Sequence, residues 1–159
     1  MTGAASFHDT DQARRVGAAC LGTRVSQLQR LVGRRFDAAL SPLGMSVQQL
    51  EILTALAACD PQPVKPAQLA RWLSTERSTM SRNLAALQSL GWVRPATMSA
   101  SRRALSVELT DAGREVYRRA EPLWQQAQDD TLTDLGAHSV STLDGWLRCL
   151  APEAERHMT

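Results

Sequence analysis

The sequence predicts a mainly α-helical, α+β protein, and three observations support this fold class. Aromatic residues make up only 4% of the chain, and Leu and Ala dominate the apolar residues. This composition favours helices over a sheet sandwich. Apolar residues also recur at steps of three and four along most of the 159 residues. One segment, near residues 104–109, alternates apolar and polar side chains instead, which indicates a strand.

The first half of the chain predicts four helices. The first extends to Ser41-Pro42, because proline disfavours a helical residue before it. Ser46 is a candidate N-cap for the second helix, which ends at the proline-rich loop of residues 60–66. The third is predicted at about residues 67–73 and the fourth at about 76–90, with Gly91 as its left-handed C-terminal cap. The inward stripe of the fourth helix comprises Met80, Leu84, Leu87 and Leu90.

Two strands and two further helices complete the predicted order. Residues 92–96 and 104–109 form the strands, joined by a loop of small and polar residues at 97–101. Thr110 caps a long fifth helix, in which Pro122 introduces a bend or marks a helix start. The last helix presents Val140, Leu143, Leu147 and Leu150 on one side. Two short helices separated by Ser74-Thr75 and followed by a hairpin predict a winged helix-turn-helix with a two-stranded β wing.

Positive charge is concentrated in the middle of the chain. Residues 61–107 contain seven Lys and Arg residues against Glu76 alone, although the net charge of the whole chain is only +2. The C-terminal third carries an excess of acids. A basic segment between neutral and acidic flanks is typical of a protein in which one lobe meets phosphate.

Several function classes are disfavoured. The histidines are scattered, and we find no metal-ligand spacing, phosphate-binding glycine loop or nucleophile motif. We therefore predict no enzymatic activity, no metal and no cofactor. No stretch approaches the roughly 18 apolar residues of a membrane span, and the N-terminus lacks the features of a secretion signal. Cys20, Cys59 and Cys149 are odd in number and far apart, as expected for free thiols in the cytoplasm.

The fourth predicted helix carries the residues that we expect to bind DNA. Opposite its apolar stripe lie small side chains and one arginine, whereas a solvated helix face is usually rich in Glu, Lys and Gln. A face of small residues can enter the major groove, where Arg82 can bind a guanine edge. The predicted contacts to bases or phosphates are Arg77, Ser78, Thr79, Ser81 and Arg82.

The predicted wing adds basic residues to this surface. Arg94 lies on the first strand, and Arg102 and Arg103 lie at the start of the second, beside the small-residue loop. A thin basic loop can enter the minor groove, whose negative potential attracts arginine.

These residues resemble the MarR family of bacterial regulators. The resemblance is carried by LSTERSTMSRNLAALQSLGWV at residues 73–93 and by SRRALSVELTDAG at residues 101–113, with its Leu-Thr-x-x-Gly ending. It extends to ALSPLGMSVQQLEIL and AEPLWQQAQ on either side. The family often has an acid two residues before the wing arginine, where this chain has Ser101.

The resemblance implies a homodimer in which each subunit reads one half of an inverted repeat in double-stranded DNA. It identifies Ser78, Thr79 and Arg82 as base or phosphate readers and Arg103 as the wing arginine. Residues 16–152 would form one MarR-like domain after a flexible N-terminus at 1–15. The DNA-binding part would span residues 46–110, and the dimerisation helices residues 16–41 and 111–152.

The resemblance also implies release from DNA by a small molecule, often an aromatic acid. The candidate ligand residues are Arg24, Gln27 and Trp124; the alternative, which the pattern favours, is a solvated Arg24 and a Trp124 in the dimer core. Cys20 is a candidate redox residue, or alternatively a small buried apolar side chain. A rival hypothesis is a winged-helix module that binds protein, which would require exposed aromatic or large apolar residues on the fourth helix.

Overall fold

The computed structural model describes residues 5–96 and 106–150, with side chains from residue 10 onward. The chain divides into two compact units, one up to Arg35 and one from Phe36 onward. The elements are α1 (Ala5–Ala19), α2 (Leu21–Leu40), a 3-10 helix (Ser41–Leu43), α3 (Val47–Cys59), α4 (Pro66–Trp72), α5 (Arg77–Ser89), β1 (Val93–Pro95), β2 (Val107–Leu109), α6 (Asp111–Leu135) and α7 (Ser139–Leu150). The predicted winged helix-turn-helix with helical flanks is confirmed.

The unit up to Arg35 contains a helix that we did not predict. The helix α1 begins at Ala5, within the segment expected to be flexible, and a break at Cys20 separates it from α2. Our helix predictions relied on stripes of large apolar residues, and the sequence of α1 contains few such residues. Among them, Val16 is 60% exposed. The backbone amide of Cys20 still donates to the carbonyl oxygen of Val16 at 2.9 Å.

The unit from Phe36 onward has one hydrophobic core. Its most deeply buried side chains are Leu40, Ile52, Leu53, Leu69, Met80 and Leu87. They come from α2, α3, α4 and α5, so the core lies directly under the helix-turn-helix. Because the packing is complete there, the outer face of α5 is presented from a fixed support.

Helix starts follow the predicted capping residues. The Ser46 hydroxyl accepts a hydrogen bond from the backbone amide of Gln49, whose side chain in turn accepts from the backbone amide of Ser46. This reciprocal pair is the capping box, and it satisfies two amides that the helix itself leaves unpaired. At the start of α6, the Thr110 hydroxyl accepts from the amide of Gly113. Both predicted N-caps are confirmed.

The sheet is an antiparallel pair in which Val93 faces Leu109 and Arg94 faces Glu108. Val64, in the loop predicted only as a helix end, adds an isolated bridge: its amide donates to the carbonyl oxygen of Val107 at 2.9 Å. Of the second predicted strand, Ala104 and Leu105 lie outside the described residues. The bridge ties the loop between α3 and α4 to the base of the wing.

One detail of the prediction for α5 is wrong. Leu90, placed in the inward stripe of α5, is 47% exposed, because α5 ends at Ser89 and the chain turns away at Gly91. Gly91 itself has φ of 72°, the left-handed conformation predicted for it. Pro122 lies inside α6, as predicted, and because α6 runs without a break from Asp111 to Leu135, the alternative of a helix start at Pro122 is excluded. Among the described residues, no helix is long and apolar enough to cross a membrane.

Candidate nucleic-acid interface

The turn between α4 and α5 holds the candidate DNA-binding helix in place. Ser74 adopts φ of 47°, a left-handed conformation that reverses the chain between the two helices. The amide of Thr75 then donates to the carbonyl oxygen of Ala70 at 2.8 Å. Beyond the turn, Met80, Leu84 and Leu87 bury the inner face of α5. Burial of this stripe determines which residues point away from the protein.

The outer face of α5 carries the predicted DNA-binding residues. Ser78, Ser81 and Arg82 are exposed, and Thr79 is half-buried beside them. The Arg82 Nη2 atom donates to the Thr79 hydroxyl at 3.2 Å, which holds the guanidinium along the helix. Arg77 is exposed as the first residue of α5. The structure therefore brings these five residues together on one exposed surface.

The first turn of α5 also exposes backbone donors. Its N-cap residue, Glu76, makes no side-chain hydrogen bond to the helix. The first amides of a helix have no partner within it, and they combine with the helix dipole to favour an anion. In α5 these amides lie next to Arg77 and Ser78. The surface thus combines backbone donors, hydroxyls and guanidinium groups.

Arg94, which we predicted as a basic DNA-binding residue of the wing, is paired with an acidic residue on the neighbouring strand. Arg94 donates through Nε to the Glu108 carboxylate at 2.8 Å, across the two strands. Its side chain is 63% exposed, while that of Glu108 is 21% exposed. The positive charge of Arg94 is therefore partly compensated before any DNA is present. Arg102, Arg103, Ser101 and the predicted loop of residues 97–101 lie outside the described residues.

A cluster at the base of the wing connects α5 with α6. The Thr110 hydroxyl donates to the carbonyl oxygen of Gly91 at 2.6 Å, and its amide donates to that of Trp92 at 3.1 Å. A Cβ added at Gly113 would overlap the Trp92 carbonyl oxygen and lie 2.9 Å from its carbonyl carbon. This contact explains the Leu-Thr-x-x-Gly motif: threonine caps α6 and holds the chain after α5, and glycine permits the close approach.

An ion-pair cluster at the start of α6 was missed by sequence reasoning. Arg114 donates to both carboxylate oxygens of Asp60 at 2.7 and 2.8 Å, and to Asp111 at 3.0 Å. The guanidinium lowers the pKa of the Asp60 carboxyl, mainly through these hydrogen bonds, and Asp60 raises the pKa of Arg114. Asp60 and Arg114 are 54 residues apart in the sequence, so no local sequence pattern predicts that they pair.

The predicted effector and redox residues are at least partly exposed to solvent. Arg24 is exposed, and its Nη2 atom donates to the Ala18 carbonyl oxygen at 2.5 Å. Gln27 is exposed, and Trp124, on α6, is 36% exposed. Cys20 is half-buried, and hydrogen bonds with the hydroxyl and backbone of Thr23 lower the pKa of its thiol. Within the described ranges, no three His, Cys, Asp or Glu residues group as a metal site.

Comparison with known proteins identifies the family. Residues 38–131 match a family model described as the HVO_A0261 N-terminal domain. The chain is 33% identical to the transcriptional repressor Rv2887 of Mycobacterium tuberculosis over 118 residues, covering 74% of this chain and 83% of the relative. It is 28% identical to the multiple antibiotic resistance protein MarR of Escherichia coli over 135 residues, covering 83% and 91%.

Solved structures agree with these relatives. A cysteine-to-serine mutant of MarR from E. coli, complexed with operator DNA, superposes with a TM-score of 0.75 and 25% identity, covering 86% of this chain and 97% of that one. M. tuberculosis Rv2887, complexed with salicylic acid, superposes with a TM-score of 0.62 and 28% identity, covering 84% and 97%. The relatives are transcriptional regulators, in agreement with the prediction that this chain is not an enzyme. The resemblance seen in the sequence is confirmed, and the chain belongs to the MarR family of transcriptional regulators.

Proposed function

We propose that the protein is a cytoplasmic homodimeric repressor that reads an inverted-repeat operator with α5 and leaves it when a small molecule binds. The observation that carries the proposal is the outer face of α5. Its exposed residues are hydroxyls, small side chains and Arg82, mounted on a buried stripe of Met80, Leu84 and Leu87. No aromatic residue lies on α5 at all.

The chemistry of this face suits a major groove. Small side chains let the helix backbone approach the bases, and a guanidinium can bind both acceptors of a guanine edge. Among the described residues, Arg82 has only the Thr79 hydroxyl as a partner, a neutral acceptor that it can exchange for a base. The arginines predicted for the wing, Arg94, Arg102 and Arg103, would contact the adjacent backbone or the minor groove. The MarR structure complexed with operator DNA supports this use of the fold.

Exposed apolar surface supports the homodimer. In α7, Val140, Leu143, Trp146, Leu147 and Leu150 are between 38% and 81% exposed, and no residue of the helix is buried. In α2, Leu21, Val25 and Leu31 are 48–63% exposed. Apolar stripes of this length mark surfaces that a partner covers. A second copy that buries them would place two α5 helices for two half-sites.

An aromatic acid is the effector class that we propose. The Rv2887 structure with salicylic acid supports it for a relative. The residues predicted to take part in this chain are Arg24, whose guanidinium suits a carboxylate, with Gln27 and Trp124. Oxidation of Cys20 is an alternative signal, and the lowered pKa of its thiol favours it.

Selection from random-sequence duplex DNA at near-physiological salt tests the proposal. The bound pool is expected to contain an inverted repeat whose half-sites lie about one helical turn apart. An Arg82→Ala variant, selected in parallel, is expected to lose preference at one base pair of each half-site. A pool without enrichment would contradict sequence reading and favour the rival hypothesis of a protein-binding module.

A further inference from the structure

The first turn of α6 is attached to the DNA-binding lobe, meaning here the elements from α3 to β2, by polar contacts at two places. At the first, the Thr110 hydroxyl donates to the Gly91 carbonyl oxygen at 2.6 Å, just after the end of α5. At the second, Arg114 donates to Asp60, the residue that follows α3. Contacts to two different elements restrict a rotation of α6 that a single contact would leave free.

The pair of Arg114 and Asp60 is suited to fix an orientation as well as a distance. The Nε and Nη2 atoms of Arg114 donate to the two carboxylate oxygens at 2.8 and 2.7 Å. Two parallel hydrogen bonds between planar groups leave little freedom to rotate. The side chains of Arg114 and Asp60 are 37% and 29% exposed, so water screens the pair only in part. By contrast, the apolar contacts of Val116 and Ala120 with the core are non-directional.

Asp60 belongs to a segment that is itself held in place. It begins the loop of residues 60–66, and Val64 in this loop exchanges two backbone hydrogen bonds with Val107 of β2, at 2.8 and 2.9 Å. The same loop leads directly into α4, which begins at Pro66. The contact from Arg114 therefore joins α6 to the base of the wing and to the helix-turn-helix, and not to a free loop.

The length of α6 amplifies any change of angle at its first turn. The helix has 25 residues, which corresponds to about 37 Å at 1.5 Å per residue. The exposed apolar helix α7 follows its far end. A tilt of about 5° at the first turn would move the far end by roughly 3 Å relative to the lobe, which is close to the rise of one base pair in DNA.

We infer that Arg114 and Asp60 are positioning residues that determine the spacing between the two half-sites of the operator. The inference rests on the proposed function, in which a second copy covers α7 and each protomer presents one α5. Because the pair fixes the angle between α6 and the DNA-binding lobe, it fixes the distance between the two α5 helices. Neither residue lies on α5, so base preference within a half-site does not depend on them.

Binding to operators of different spacing tests the inference. The half-site recovered by selection is placed in inverted repeats with shorter and longer spacers, in steps of one base pair, and fluorescence anisotropy measures each affinity. Each step shifts a half-site by about 3.4 Å and rotates it by about 36°. We expect the wild type to lose affinity about tenfold or more at the first step from the best spacer.

Arg114→Gln and Asp60→Asn are expected to broaden this spacing profile. Without the pair, the lobe samples more orientations relative to α6, so the first step is expected to shrink to about threefold or less. Base preference within the half-site should remain that of the wild type. A general loss of stability would instead lower the affinity for every spacer alike, so the shape of the profile separates positioning from a merely structural role.

Arg118→Gln is the matched control. Arg118 lies on the next turn of α6, and among the described residues its ion pair is with Glu115 of the same helix. The variant removes the same charge without breaking a contact to another element, and its profile is expected to match the wild type. Unchanged profiles in both Arg114→Gln and Asp60→Asn would overturn the inference. So would an equal loss at every spacer, or the same broadening in Arg118→Gln.

The distance between the two α5 helices tests the inference without DNA. Ala85, exposed on α5, is replaced by a spin-labelled cysteine in a background without the three native cysteines. Pulsed electron paramagnetic resonance then measures the distance between the two labels of a dimer. Arg114→Gln is expected to widen the distance distribution, and Arg118→Gln to leave it unchanged.

The two measurements distinguish failure of the inference from failure of the proposed function. A distance distribution of unchanged width in Arg114→Gln would overturn the inference, whether or not the protein binds DNA. A wild-type pool without an inverted repeat, or a chain that remains monomeric, would instead contradict the proposed function and with it the dimer on which the spacing depends.

Discussion

The helices α5 and α7 have nearly the same length and similar apolar spacing, yet they occupy opposite environments. In α5, Met80, Leu84 and Leu87 are at most 5% exposed. In α7, Leu147 is 64% exposed and Leu150 81% exposed. Apolar spacing thus reveals that a helix has a stripe to bury, but it does not reveal what buries it.

The neighbours of the two helices account for the difference. α5 packs against α3, α4 and β1, all from the same chain, so its stripe is completed by folding. α7 follows Gly136 at the C-terminal end of α6, and none of its residues is buried. We infer that folding orients α5 for DNA, whereas α7 is completed by association with a second copy.

Leu87→Ala probes the buried stripe of α5 and carries the largest expected effect. Leu87 is fully buried, so its truncation leaves a cavity and is expected to lower the free energy of unfolding by about 3 kcal/mol. Urea denaturation measures the change. Leu90→Ala is the matched control, because the apolar spacing places Leu90 in the same stripe but the structure exposes it. It is expected to lower the free energy of unfolding by less than about 1 kcal/mol. Equal losses would show that Leu90 is buried as the spacing predicted.

Gly113→Ala probes the junction that orients α5 and the wing. The added Cβ would overlap the carbonyl oxygen of Trp92, so we expect a loss of about 2–3 kcal/mol in unfolding free energy. The control is Gly145→Ala in α7, where the added Cβ would meet no described atom within 4 Å apart from its chain neighbours and the backbone of its own helix. Because alanine favours a helix more than glycine does, Gly145→Ala is expected to be neutral or stabilising. A well-tolerated Gly113→Ala would contradict the proposed anchor.

Trp146→Ala tests whether association completes α7. Trp146 is 52% exposed, and large aromatic side chains dominate the energetics of protein interfaces. We expect the dimer dissociation constant to rise tenfold or more, which corresponds to about 1.4–2 kcal/mol. Sedimentation equilibrium measures it. Arg82→Ala serves as the control from the outer face of α5 and should leave dimerisation unchanged. An unaffected dimer in Trp146→Ala would exclude this face of α7 from the interface.

Arg82→Ala tests DNA binding by the outer face of α5, and dimerisation should not change. Loss of a bidentate base contact is expected to cost about 1–3 kcal/mol at one base pair and to relax specificity there. Arg103→Ala should weaken binding to all sequences and reduce its dependence on salt, as expected for a phosphate contact. Anisotropy titrations at several salt concentrations separate these effects. Equal losses on every sequence in both variants would refute the assigned roles.

The ion pair of Asp60 and Arg114 gives the smallest expected effect, and it depends on pH. Arg114 lowers the pKa of Asp60 in the folded protein. The stabilisation is therefore fully present above the unfolded pKa of about 3.9 and is lost as the pH falls through the lowered folded value. Asp60→Asn should be less stable than the wild type at neutral pH, and the difference should shrink in acid.

The variant Arg114→Gln provides the check on this assignment, since it removes the partner and retains the carboxyl group. It should abolish the same part of the pH dependence, and the double variant should be no less stable than the worse single variant. Urea denaturation between neutral pH and about pH 3 measures both. A pH dependence identical to that of the wild type in both single variants would contradict the proposed linkage.

Features that depend on a few neighbouring residues were predictable from sequence. Ser46 and Thr110 cap helices because a hydroxyl at that position reaches an amide three residues on. Gly91 takes a left-handed conformation at the end of α5, as predicted. The outer face of α5 followed from the periodicity of the helix once its apolar stripe was assigned.

Features that depend on distant residues were decided only by the tertiary structure. The bridge of Val64 to Val107, the pairing of Arg94 with Glu108 and the Asp60–Arg114 ion pair join positions that no local pattern relates. Leu90 continues an apolar stripe, but the turn after α5 exposes it. Sequence alone thus determined the helices from α2 onward, their caps and the family, since these follow from short-range hydrogen bonds and periodicity. The tertiary structure decided which charges are already paired and which apolar stripes the chain buries by itself, because both depend on long-range packing.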